Sequence, residues 1–112
     1  MVVKFKFNYR GKMKELDVEV CDSVFSQSLG LMFGFKKRPL LFVFNSKKRR
    51  AIHSFFCKPF VAVWFSGPRV VDVKVIRKWK LSIKPVEKFD KLLEIPSVSQ
   101  EFRIFTDDKR KV

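Results

Sequence analysis

The sequence predicts an α+β domain dominated by β structure: a compact antiparallel sheet or partly open barrel with one short helix near residues 23–32. Three observations predict it. Apolar, β-branched or aromatic runs at residues 40–44, 51–56, 60–65 and 70–76 each have the length of a strand. The connectors between them are too short to hold a crossover helix, so successive strands are expected to turn back on one another as a meander. Residues 3–20 alternate apolar and polar side chains, the period of a strand with one buried face.

In chain order, Val3, Phe5, Phe7 and Tyr9 share one face of a first strand, and Leu16, Val18 and Val20 share one face of a second. Arg10, Gly11 and Lys12 form the turn of this N-terminal hairpin. Lys4 and Lys6 are expected to face Glu15, Asp17 or Glu19 across it. At Asp22 the period changes: Asp22 or Ser23 can cap a helix carrying Phe25, Leu29 and Met32 on one face, and Gly34 would end it. A basic loop, residues 35–39, leads into the meander. Its first turn, residues 45–50, places Lys47, Lys48, Arg49 and Arg50 at a solvated hairpin tip. Residues 77–88 read as irregular, residues 91–95 as a strand stopped by Pro96, and residues 101–105 as a terminal strand. The charged tail, residues 107–112, is expected to fray.

Length and composition fit one domain covering residues 1–112, with 46% hydrophobic residues and 14 Phe to build a core. No apolar run approaches the ~18 residues of a membrane-spanning helix, so the chain is expected to be soluble and cytoplasmic. Cys21 and Cys57 lack metal-ligand spacing and stand beside apolar residues; buried free thiols are the plain expectation, a disulfide the alternative. Charge is the strongest deviation: 25 Lys and Arg against 11 Asp and Glu give a formal net charge of +14. Such an excess attracts polyanions whatever else the fold does.

Several stretches, taken in order, resemble the domain-of-unknown-function 192 family, also called uncharacterised protein family 0127. They are Gly30-Leu31-Met32-Phe33, Leu40-Leu41-Phe42-Val43-Phe44, Ile52-His53-Ser54-Phe55-Phe56, Pro59 opening an apolar strand, Val70-Val71-Asp72-Val73, Pro85, and Leu92-Leu93-Glu94-Ile95-Pro96. The resemblance implies a β-dominated domain with limited helix, from a family spread through archaea and bacteria without an established activity. In two places the chain departs from the family pattern. Phe60-Val61-Ala62 stands where an acidic residue usually follows the proline, and the Gly-Asp turn near the end is missing.

No motif for catalysis is legible. His53 is the only histidine, and with Cys57 four residues on it could pair as base and nucleophile only if the backbone brings them together. A packed or hydrogen-bonded histidine is the simpler reading. Asp72 alternates with Val71 and Val73, as a solvated or Lys-paired carboxylate would. Neither a glycine-rich phosphate loop nor a nucleophile elbow is present, and no cofactor or metal is expected.

The basic clusters carry the remaining signal: Lys36, Lys37 and Arg38; Lys47, Lys48, Arg49 and Arg50; and Arg77, Lys78 and Lys80 with Trp79 as a stacking face. They predict a binding module that engages a polyanion, RNA or DNA first, through basic loops. The alternative is a small-molecule or peptide pocket lined by Phe55, Trp64 and Trp79, with His53 as its polar group.

Overall fold

Residues 3–20 fold as their alternation predicts, into β1 (Val2–Tyr9) and β2 (Lys12–Cys21), antiparallel with Val3 opposite Val18 and Phe5 opposite Leu16. The computed structural model describes residues 2–21, 38–48, 59–77 and 82–106. Arg10 (φ 54°) and Gly11 (φ 78°) both take the left-handed conformation, the paired turn whose twist matches that of two antiparallel strands. Lys4 reaches Asp17 at 3.2 Å and Lys6 reaches Glu15 at 3.5 Å, both exposed, as the cross-strand pairing predicts.

The remaining strands are β3 (Leu40–Lys48), β4 (Phe60–Ser66), β5 (Arg69–Ile76) and β6 (Phe89–Pro96), followed by a short helix, α1 (Phe102–Thr106). One six-stranded sheet runs in the order β1-β2-β3-β6-β4-β5. β2 and β3 pair in parallel, from Glu19 opposite Leu40 to Cys21 opposite Phe42; every other neighbouring pair is antiparallel. The sheet curls into a half-barrel. Phe5 and Phe7 of β1 meet Phe65 of β4 edge-on, with ring centroids 5.2 and 5.4 Å apart, although β2, β3 and β6 stand between those strands in the sheet.

Both faces are buried in the middle. The concave face packs Phe7, Leu16, Val18, Leu41, Val63 and Leu93, with Phe105 of α1 stacked on Phe7. The convex face buries Leu40, Phe42, Phe60, Trp64 and Leu92 beneath Ile83 and Phe89. A strand covered on both sides needs apolar residues at consecutive positions rather than alternate ones, which β4 and β6 supply.

The structure corrects three expectations. The meander is interrupted: β3 lies beside β6, not β4, because the doubly apolar run of β6 is best buried at the centre of the sheet. Residues 45–48 continue β3 instead of turning, with Lys48 paired to Phe89 after a register shift. Residues 102–106 form a helix instead of a strand, which lets Phe102 and Phe105 close one end of the concave core. The expected helix at 23–32, the run at 51–56, Cys57 and the 107–112 tail lie outside the described residues, as does the side chain of Cys21.

Candidate functional site

Residues opposite one another in register point to the same face of a sheet, so the pairing defines rows on the convex face. One row runs Leu40, Glu94, Ala62, Lys74 across β3, β6, β4 and β5; the next runs Phe42, Leu92, Trp64, Asp72. Glu94 is thus a carboxyl inside an apolar face. It is only 8% exposed, and burial pushes its pKa up to about 8. Among the described residues it has no cation or hydrogen-bond donor. Trp64, diagonal to it across the β6–β4 pair, is fully buried, and its indole Nε1 has no acceptor among the described residues.

A second polar feature forms along β5. Asp72 accepts hydrogen bonds from the Val73 amide at 2.8 Å and the Val86 amide at 3.0 Å, and Arg69 pairs with Glu87 at 3.1 Å. Ile83 enters the convex core. These contacts hold residues 82–88 against β5 and leave a cleft of about 410 Å3 between Val73–Ile76 and Ser82–Lys84. Lys74 and Lys84 are its only charged lining residues among those described. Asp72, half-buried, is therefore a backbone anchor at the edge of solvent, and among the described residues no lysine pairs with it. At the opposite end of β5, Asp90 accepts from the Gly67 amide at 3.1 Å and Lys91 donates to the Gly67 carbonyl at 3.0 Å.

The predicted site residues divide as follows. Pro96, Phe60 and Ile76 lie in one row at one end of the sheet. Arg77, exposed, follows Ile76, and Arg38, also exposed, precedes β3 at that same end. Arg38 shares a cleft with two acids, Asp17 and Glu101; among the described residues no acid lines the cleft of Lys74 and Lys84. Lys47 and Lys48 lie at the far end of β3, roughly 25 Å away at the rise of an extended strand. Lys36, Lys37, Arg49, Arg50, Lys78, Trp79 and Lys80 fall outside the described residues, as do His53 and Phe55. Trp64, expected to line a pocket with them, is instead wholly covered on a central strand.

Sequence reading missed Glu94, Lys74 and Lys84. Glu94 carried a usable signal, a charge inside the apolar run Leu92-Leu93-Glu94-Ile95; the two lysines carried none, since only the fold of residues 82–88 brings them together. Among the described residues no group of three His, Cys, Asp or Glu side chains is placed to hold a metal, and no helix is long and apolar enough to cross a membrane.

No family model matches the chain. A UPF0127 protein of Pyrococcus horikoshii is 36% identical over 73 residues, which cover 62% of this chain and 64% of the relative. The match supports the UPF0127 family. It bears out the resemblance carried by the ordered sequence features, over a region that spans less than two thirds of the UPF0127 relative. Among solved structures, a protein of unknown function from Novosphingobium aromaticivorans superposes with a TM-score of 0.73 at 15% identity, covering 85% of this chain and 73% of its own. A proposed transcription regulator from Sinorhizobium meliloti superposes with a TM-score of 0.67 at 15% identity, covering 81% and 76% respectively. At that identity the two likenesses establish the fold alone, and UPF0127 is an uncharacterised family.

Proposed function

We propose that the protein is a polyanion-binding module, with RNA or DNA as the first candidate, whose contacts are centred on the end of the sheet that carries Arg38, Lys74, Arg77 and Lys84. The carrying observation is the cleft between β5 and residues 82–84, whose only described charges are two lysines with no ion pair among the described residues. On the N-terminal hairpin, by contrast, Lys4 and Lys6 are neutralised by Asp17 and Glu15. Lys36 and Lys37 adjoin Arg38 in sequence, and Lys78, Trp79 and Lys80 adjoin Arg77, so both segments extend this basic end. Lys47, Lys48, Arg49 and Arg50 make a second contact cluster beginning at the far end of β3. The net charge of +14 supplies long-range attraction, and the local lysines and arginines supply phosphate contacts.

The test is the salt dependence of binding to a labelled single-stranded oligonucleotide. Removing one cation that touches a phosphate lowers the slope of log affinity against log salt by about 0.7–0.9. A Lys74→Gln, Arg77→Gln, Lys84→Gln variant is expected to lower that slope by about 2, while a control with Lys12→Gln, Lys14→Gln and Arg103→Gln leaves it nearly unchanged. Equal effects from both variants would assign the attraction to net charge and remove the site.

A further inference from the structure

The curled sheet does not close: its two edge strands, β1 and β5, are not ladder partners, and the Gly67-Pro68 turn between β4 and β5 faces β1 across the opening. A cleft of about 390 Å3 lies there, at the end of β5 away from Arg77. Phe5, Phe7 and Phe65 form its wall. Their rings touch pairwise with centroids 5.2–5.7 Å apart; Phe7 and Phe65 are buried, while Phe5 is half-buried and offers ring surface to the cleft. The space continues beside the turn, where Gly67 takes φ 59° and a Cβ would meet no heavy atom within 4 Å.

Lys91 brings a charge to this wall. It stands opposite Val43 on β3 and Phe65 on β4, so it belongs to the concave face, and its side chain is 27% exposed. Of its three N–H donors one goes to the Gly67 carbonyl at 3.0 Å. The Asp90 carboxylate is 3.5 Å away, longer than the about 2.7–2.9 Å of a charge-assisted hydrogen bond, and the same Oδ1 accepts from the Gly67 amide. Lys91 thus keeps a donor for a ligand. Lys6 also lines the cleft, but its side chain is 67% exposed and its ammonium is 3.5 Å from Glu15, so water screens its charge.

We propose that this cleft binds a small aromatic carboxylate, with the ligand ring against Phe5 and Phe65 and its carboxylate on the Lys91 ammonium. Edge-to-face contact suits a further ring on that wall, and the cleft falls within the about 300–1,000 Å3 of small-molecule sites, which favour the mouths of curled sheets. Among the described residues its only charged lining side chains are the two lysines, so an organic cation meets like charge. None of Arg38, Lys74, Arg77 and Lys84 lines it, which makes it a site apart from the polyanion contacts.

The experiment is a nuclear magnetic resonance titration of the full chain at constant ionic strength with phenylacetate, phenethyl alcohol and phenethylamine, following the amide resonances of Gly67 and Lys91. Phenylacetate is expected to give saturable shifts at both and to bind about tenfold more tightly than phenethyl alcohol, the effect of one partly solvated hydrogen bond between charged groups. Phenethylamine should bind weakest, and acetate, which lacks the ring, should leave both resonances in place. Lys91→Gln, whose amide can still donate to the Gly67 carbonyl, is expected to weaken phenylacetate about tenfold and phenethyl alcohol by less than about twofold. Equal binding of the three ring compounds, or tightest binding of phenethylamine with Asp90 as its partner, overturns the proposal. So does a phenylacetate response centred on Lys74 and Lys84, or a dimer in sedimentation equilibrium that phenylacetate dissociates, since a second copy would then occupy the cleft.

Discussion

Glu94 shows how a single side chain sets the pH behaviour of the fold. In the folded chain burial raises its pKa to about 8, against an ordinary value of 4.5. Below 4.5 the carboxyl is neutral whether the chain is folded or unfolded, and it costs the fold no ionisation energy. As pH rises from 4.5 to about 8 the unfolded chain gains by ionising while the folded chain does not, so stability is lost across that window and is level above it. The decline is on the order of a few kcal/mol. Urea denaturation at a series of pH values is expected to show this decline in the wild-type chain and its absence in Glu94→Gln, which should be the more stable of the two at pH 8. The identity of Glu94 as a charge in an apolar run was legible in the sequence. Its burial was not, because the run alone does not say whether one or both faces of its strand are covered.

At the scale of elements, the centre of the molecule is β6, and its position explains what the sequence revealed and what it hid. Local pairings were legible: the β1–β2 hairpin follows from strict alternation and a Gly at the turn, and β4 returns as β5 through Gly67 and Pro68. The insertion of β6 between β3 and β4 is a long-range pairing, and no local residue specifies it. α1 was hidden for a similar reason. Glu101-Phe102-Arg103-Ile104-Phe105 alternates like a strand, yet the concave core needs two aromatic rings at its end, and one helical turn brings Phe102 and Phe105 together there. If β6 is central, Leu93→Ala should cost about 2–5 kcal/mol, because Leu93 is fully buried between Leu41 and Val63. Val43→Ala, at a position 38% exposed on β3, should cost about 1 kcal/mol or less. Equal destabilisation of the two variants in thermal unfolding would contradict the observed sheet order.

For the whole molecule, the curled sheet separates two kinds of surface. The N-terminal hairpin pairs Lys4 and Lys6 with Asp17 and Glu15, whereas the end of the sheet at Arg77 gathers cations from β5 and from residues 82–84 that have no ion pair among the described residues. Basic composition was legible from the sequence; which cations stand together required the anchoring of residues 82–88 by Asp72, Glu87 and Ile83. The most direct test is amide chemical-shift mapping of the full chain with a short single-stranded oligonucleotide at low salt. The largest changes are expected at Lys74, Arg77, Ser82 and Lys84, with little change at Lys12 and Lys14. Changes centred on the N-terminal hairpin, or spread evenly over every exposed lysine, would contradict a polyanion site at this end of the sheet.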